Sequence, residues 1–211
     1  MRKILQTLGP STSSTTLSSP YPLGGWEGFE VGLSRHYIPW SNLAEVDQTV
    51  SEQKDLNYAL ITVGKGLFYN FDIFVSLIPM LKIESLSYFS TQLRYQLWSS
   101  ENKVFHLSSS LFGGTANFNN QLSMQNYGFD FLGTVILDKV SIFIGIGSLF
   151  SSGRFIGGDN GITESKNTDL EKLTLPHQLI GIEWPLGSFF IAAEVDRYSI
   201  PYYSLKFGFR K

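Results

Sequence analysis

Tyr202-Tyr203-Ser204-Leu205-Lys206-Phe207-Gly208-Phe209-Arg210-Lys211 alternates apolar with polar or small residues almost to the end of the chain. Tyr203, Leu205, Phe207 and Phe209 share one face, and Tyr202, Ser204, Lys206, Gly208 and Arg210 share the other. Period two is the signature of a strand, because successive side chains point to opposite faces. The same period recurs along the chain in segments of about ten residues, the length that crosses a bilayer as a tilted strand. No stretch approaches the ~20 continuous apolar residues of a membrane-spanning helix. A chain that enters lipid without such a helix must close its backbone hydrogen bonds in a barrel. The expected fold is therefore all-β: a transmembrane antiparallel up-and-down β-barrel with short periplasmic turns and longer external loops.

Composition agrees with that reading. Of 211 residues, 43% are hydrophobic, 15% aromatic and 16% charged, against roughly 25% charged in ordinary soluble domains. A surface facing lipid produces such a skew. The chain has no cysteine, which excludes disulfides, thiolate metal sites and a cysteine nucleophile. Net charge is −2, and the only basic clusters are Arg2-Lys3 and Arg210-Lys211. The electrostatic footprint of a nucleic-acid binder is missing. The opening Met1-Arg2-Lys3-Ile4-Leu5-Gln6-Thr7-Leu8 lacks the roughly 7 to 15 residue apolar core of a signal peptide, so an export signal is expected to have been removed.

Residues 1–25 are rich in Ser, Thr and Pro and read as a flexible, extended or mobile N-terminal arm that hangs free or tucks into the barrel. Residues 26–211 form the barrel. The first strand carries Phe29, Val31 and Leu33 and ends at Pro39; the polar stretch Ser41 to Asp55 with Glu45, Asp47 and Glu52 reads as a solvated loop. Further strands run from about Leu56 to Lys65, through Phe71, Ile73, Val75, Leu77 and Leu81, through Phe89 to Leu97, and from Phe105. The sixth holds Tyr127, Phe129 and Phe131; Asp138-Lys139 turns into the seventh; Pro185-Leu186-Gly187 separates the eighth from a ninth ending near Tyr198. Connections after strands one, five and seven are expected to be long, and those after two, four, six and eight short. The count is about ten, with eight or twelve as alternatives, and an even number puts both barrel ends on the periplasmic side.

With the Phe, Leu, Ile and Val faces turned to lipid, Glu30, Arg94, Asp130, Glu183, Glu194, Asp196 and Lys206 fall inside. Mixed signs in a low-dielectric lumen imply a salt-bridge network or a hydrated selectivity lining. Phe74, Met80, Trp98 and Phe143 are expected to point inward as well, so the lumen should be narrow and largely filled. Inward glycines, among them Gly32, Gly128, Gly145 and Gly208, make room for large neighbours.

Two motifs carry candidate chemistry. His106-Leu107-Ser108 places an imidazole and a hydroxyl on one strand face, the minimum for an activated nucleophile. Asp159, Asn160 and Glu164 beside Gly157-Gly158 offer oxygen ligands for calcium, although Asp-Asn-Gly is also ordinary turn chemistry. His36 and His177 stand without metal-ligand spacing and read as rim or strand-end residues. Trp26, Trp40, Trp98 and Trp184 fall near strand ends, where they suit an interfacial girdle. No cofactor is expected.

The His106-x-Ser108 element resembles that of outer-membrane lipid A 3-O-deacylases, in which a Glu further along orients the His and the site faces lipid. Here the pair lies on the lumen face, and no Glu stands between Ser108 and Gly133. The whole of 26–211, with its aromatic-rich last strand, resembles bacterial outer-membrane β-barrels of Gram-negative envelopes. That resemblance implies residence in the outer membrane, contact with its lipid and lipopolysaccharide, and insertion by the assembly machinery through the last strand, as a monomer. Arg210 and Lys211 after the last Phe depart from the usual ending. Three roles follow: a barrel for small-solute passage, surface interaction or envelope structure; a lipid or ester hydrolase using His106 and Ser108; or a soluble lipocalin-like barrel with its apolar faces turned inward.

Overall fold

Ten antiparallel strands close into a barrel in a computed structural model of the chain, which describes residues 2–13, 15–20, 22–39, 55–79, 86–118, 122–156 and 170–211. In chain order they are β1 (Phe29–Pro39), β2 (Asp55–Gly66), β3 (Phe71–Leu77), β4 (Leu86–Ser99), β5 (Phe105–Phe118), β6 (Leu122–Leu137), β7 (Val140–Phe155), β8 (Glu171–Leu186), β9 (Phe189–Arg197) and β10 (Pro201–Arg210). Each pairs with its sequence neighbour, and β10 returns to β1 with Leu33 opposite Phe207 and Val31 opposite Phe209. The alternating run Tyr202 to Arg210 thus lies at the seam of the barrel. One helix, α1 (Arg2–Ser11), precedes the strands.

The apolar faces point out. Leu33, Leu111, Phe131, Ile146, Ile180 and Phe207 are each more than half exposed to the surroundings of the isolated chain. Water could not tolerate so continuous an apolar wall without aggregation, whereas a bilayer requires it. Among the described residues no helix is long and apolar enough to cross a membrane; the strands do so. A lipocalin-type arrangement, apolar within and polar without, is the reverse of what is seen. Aromatic side chains mark the band's edges. Trp26 stacks on Phe68 at 5.5 Å, with Trp98, Trp184 and Phe189 exposed at the same end. Tyr37 with Tyr203 and Tyr127 with Phe150 pair toward the other.

Connections sort by end. Asp138-Lys139 and Gly187-Ser188 are two-residue turns, and 67–70 and 100–104 are nearly as short. These four share an end with the start of β1 and the finish of β10. At the opposite end, 40–54 and 156–170 span long connections.

The structure corrects four expectations. The connection after β5 is short (119–121) because β5 and β6 run on past the apolar band; there their outward residues Thr115 and Gln125 are exposed and polar, so alternation of hydrophobicity no longer marks the strand. Trp98 faces outward, because a bulge in β4 leaves Leu97 extra between the Gln96↔Ser108 and Trp98↔Leu107 pairs and shifts the phase by one. His36 and His177 are buried mid-strand on the inner face rather than at the rim. Arg2–Ser11 is helical where composition suggests an arm without regular structure. Met80, Leu81, Trp40, Glu45, Asp47 and Glu52 lie outside the described residues.

Large inward side chains stand opposite inward glycines in a regular way. Phe74 faces Gly64, Phe112 faces Gly128, Phe143 faces Gly181, Phe190 faces Gly208 and Leu132 faces Gly145 across neighbouring strands. At each glycine an added Cβ would meet the opposing side chain. Each of these side chains therefore takes the space a Cβ would fill on the neighbouring strand.

Candidate functional site

A ten-stranded barrel has a backbone radius of about 10 Å for ~4.8 Å strand spacing and ~40° tilt. Eight strands are filled by side chains alone; ten leave space, and here the N-terminal segment occupies it. From Gly25 at the short-turn end the chain runs backward up the lumen, and α1 sits inside the long-loop end.

The upper half of the lumen is an apolar socket. Ile38, Leu60, Leu122, Met124, Leu149 and Leu175 point inward and enclose Leu5 and Leu8 of α1, all nearly or fully buried. Burying two leucines contributes about 3 to 6 kcal/mol relative to leaving them exposed. The helix's unpaired carbonyls are also satisfied one by one. Pro10 supplies no N–H for Gln6, whose carbonyl instead accepts from Ser199 Oγ at 2.9 Å. Thr7 accepts from Tyr202 Oη (2.7 Å), Leu8 from Ser11 Oγ (2.7 Å), Gly9 from Asn126 Nδ2 (3.0 Å), Pro10 from Ser13 Oγ (2.7 Å) and Ser11 from Tyr58 Oη (2.6 Å). Ser and Thr are abundant in this segment because the helix end needs them.

Beyond α1, barrel carboxylates accept main-chain N–H groups of the segment. Glu194 receives Thr16 (3.2 Å) and Leu17 (2.9 Å), Glu183 receives Ser19 (2.8 Å), and Asp72 receives Leu23 (3.1 Å). Leu17 has a φ of +37°, which turns two successive N–H groups toward one carboxylate as in an anion-binding nest.

The remaining charges pair among themselves. Glu30 accepts from Lys206 at 2.6 Å and from Arg210 at 2.8 and 3.0 Å; Arg210 reaches on to Glu183 at 2.8 and 3.0 Å. Two cations and two anions thus form a group whose formal charges cancel. Arg94 donates to Ser18 (3.0 Å) and Asp72 (3.4 Å) and lies over Phe74. His177 bridges Asp130 (2.7 Å) and Asp196 (2.9 Å) and stacks on Tyr198 at 4.1 Å. His36 bonds Ser34 and Ser204, each at 2.8 Å, and stacks on Tyr58.

All seven charges assigned inward from the sequence, Glu30, Arg94, Asp130, Glu183, Glu194, Asp196 and Lys206, are buried within the barrel. The structure adds Asp72, His177 and Arg210, and above all the plug itself. Arg210, which departs from the usual ending, holds Glu30 and Glu183 together. One sequence signal could have shown the plug: Ile38, Leu122, Met124, Leu149 and Leu175 fall in the inward phase, and an apolar lumen wall requires an apolar occupant.

His106 and Ser108 both lie on the inner face, but their bonds lead elsewhere. The Ser108 hydroxyl donates to the Pro20 carbonyl, while His106 Nε2 meets the Lys103 carbonyl at 2.9 Å and Nδ1 meets Gln96 at 3.3 Å. These bonds tie Ser108 to the plug and His106 to the turn before β5. Asp159, Asn160 and Glu164 lie outside the described residues, and among the described residues no cluster of His, Asp or Glu could hold a metal.

No protein-family profile matches the sequence, and no curated protein matches it. Solved structures do. The N-terminal β-barrel domain of Pseudomonas aeruginosa OprF matches 89% of this chain and 99% of its own, with a TM-score of 0.43 and 11% identity. Ail, the attachment invasion locus protein of Yersinia pestis, matches 87% and 97% with a TM-score of 0.35 and 12% identity. KdgM porin matches 85% and 98% with a TM-score of 0.41 and 10% identity. At these values the likeness carries no argument, and the architecture stands on the strands themselves. That architecture, an even-stranded closed antiparallel barrel with an apolar outer band, aromatic edges and short turns at the end bearing both barrel termini, is that of a bacterial outer-membrane β-barrel.

Proposed function

We propose that this protein is a plugged outer-membrane barrel, closed to solutes at rest, which acts as an anchored surface or envelope element through its long-loop end. The observation that carries the reading is the apolar socket of the upper lumen filled by α1. An open aqueous conduit would not line its mouth with Ile38, Leu149 and Leu175, because apolar wall facing water costs about 25 cal/mol per Å². The inner charges support the same reading. Their hydrogen bonds go to plug amides, to the Ser18 hydroxyl and to one another, so in this state they hold a plug rather than sort ions.

A second reading has its own support. The carboxylates grip main-chain amides, and beneath α1 the lumen wall is polar and charged; a plug withdrawn from its socket would expose a charged conduit for small solutes.

Planar-bilayer recordings test the closed state. Folded wild type, verified by heat-modifiable migration, is expected to insert without conductance steps. Leu5→Asp/Leu8→Asp, which cannot remain in the socket, is expected to produce steps and to make residues 2–13 accessible to protease. Reproducible wild-type steps equal to those of the double variant would overturn the proposal.

A further inference from the structure

One feature of the outer wall is foreign to a lipid-facing surface. Arg35 on β1 points outward between Leu33 and Tyr37, exposed, and has no ion pair or hydrogen bond among the described residues. A guanidinium against acyl chains is costly unless it reaches the headgroup level or finds an anion. Register shows what lies beside it. The row Arg35↔Leu205↔Ala193↔Ile182 crosses β1, β10, β9 and β8 on the outer face. Ala193 is the small member of that row, and its place is hollow: a groove of about 620 Å³ lies over it, walled by Ile180, Ile182, Val195 and Leu205, with Arg35 and Tyr203 at one side.

Glu194, which also lines this groove, turns its carboxylate inward to the plug, so the charged side chain on its outer side is Arg35. Among strand residues of the long-loop half whose outward side chains are described, the charged ones are Arg35, Arg154, Lys172 and Arg197, with no acid. None has a counter-ion among the described residues. At the short-turn end, by contrast, Glu27, Glu101 and Asp138 accompany Lys65, Lys103 and Lys139. A guanidinium at the side of an apolar groove, on the half of the barrel whose outward charges are cationic, complements one class of molecule, an acyl chain joined to a phosphate.

We infer that the β8–β9–β10–β1 wall is a binding site for a phosphate-bearing lipid of the outer leaflet, an acyl chain lying in the groove over Ala193 and the phosphate meeting Arg35. The site is independent of the plug and of whether the lumen ever opens. Arg guanidinium matches phosphate through a fork of N–H donors, and the groove removes chain ends from bulk lipid into a fitted surface.

Native mass spectrometry of the detergent-solubilised full chain with added lipid A, and with the same lipid stripped of phosphate, tests this. Wild type is expected to retain one phosphorylated lipid saturably and to bind the dephosphorylated form about tenfold more weakly. Arg35→Gln, which removes a charge from the lipid face and does not threaten folding, is expected to bind both forms alike, at the weaker level. Ala193→Trp fills the groove and is expected to abolish retention, while Phe131→Trp on the opposite wall leaves it unchanged. Equal retention by wild type, Arg35→Gln and Ala193→Trp would overturn the site, as would uptake that never saturates. A dimer that disappears in Ala193→Trp would assign the groove to a second copy instead and equally overturn it.

Discussion

Lys206→Met isolates the energetics of the charged group in the lower lumen. Lys206 Nζ lies 2.6 Å from Glu30 Oε1, and both residues are almost wholly buried. At an effective dielectric constant of ~20 that contact alone amounts to about 6 kcal/mol of attraction, offset by the desolvation of both ions. Methionine keeps the stem that lies over Gly32 and removes only the charge. The group then holds Glu30 and Glu183 against Arg210 alone. Breaking one side of a buried pair costs about 3 to 5 kcal/mol, and because Arg210 still gives Glu30 two hydrogen bonds, the lower figure is expected, about 3 kcal/mol. Glu30→Gln/Lys206→Met restores neutrality, leaving Arg210 with Glu183, and is expected within about 1 kcal/mol of wild type. The assay is urea unfolding in lipid vesicles followed by tryptophan emission, with gel migration as a second probe. Coupling between the two substitutions should reach about 2 kcal/mol or more. Additive losses in the double variant, or a loss below ~1 kcal/mol in Lys206→Met alone, would refute the reasoning on this group.

Two further outcomes follow from the plug and from the wall. Glu194→Gln replaces one of the two acceptor oxygens that receive Thr16 and Leu17 N–H with an NH₂ donor. Amide hydrogen exchange of residues 15–20 should quicken by roughly tenfold, about 1.4 kcal/mol per lost charged hydrogen bond, while strand amides stay protected; unchanged exchange would show that the carboxylate does not anchor the plug. Phe129→Arg sets a cation on the lipid face of β6, where Phe129 is exposed and packs edge-on to Phe131. A loss of about 2 to 4 kcal/mol in bilayer stability is expected if the site lies near the midplane, and a variant as stable as wild type would contradict the outward assignment of that face.

The barrel was legible because lipid imposes a strict rule on one face of each strand. Phe129, Ile144, Leu205 and their equivalents recur at period two wherever the strand crosses the bilayer, and ten such segments give ten strands. Where the rule stops, reading stops. β5 and β6 continue above the bilayer with Thr115 and Gln125 outward, and there polarity imitates a loop. The bulge that turns Trp98 outward is invisible for a related reason: one extra residue changes phase without changing composition. The inner face follows from the outer by alternation alone, so the positions of Glu30, Arg94 and Lys206 need no register. Their partners do. Glu30 and Glu183 stand on β1 and β8, separated in the barrel by two strands, and they meet only because Arg210 on β10 spans them. No local pattern encodes such a meeting. The plug was hidden by its brevity, since ten residues interrupted by Pro10 make a weak helix that only its surroundings stabilise.

The two halves of the lumen solve the same geometric problem in opposite ways, and the difference explains why a segment this polar can be a plug. Near the short turns, the wall supplies its own filling, with Phe74, Phe143 and Phe190 over glycines and ions closed upon each other. There the chain needs only to thread past, Ser19 and Leu23 adding their N–H groups to carboxylates that Arg210 and Arg94 already hold. Near the long loops the wall is apolar and leaves a gap, and the ten-residue helix α1, about three turns long, closes it with two leucines. Its serines and threonines are not a surface for water. They are capping donors, consumed by the carbonyls that Pro10 and the helix end expose. A Ser/Thr/Pro-rich composition that signals disorder in a free chain therefore becomes, inside a barrel whose tyrosines and asparagine add their donors, the composition of a stopper whose helix-end carbonyls are hydrogen-bonded.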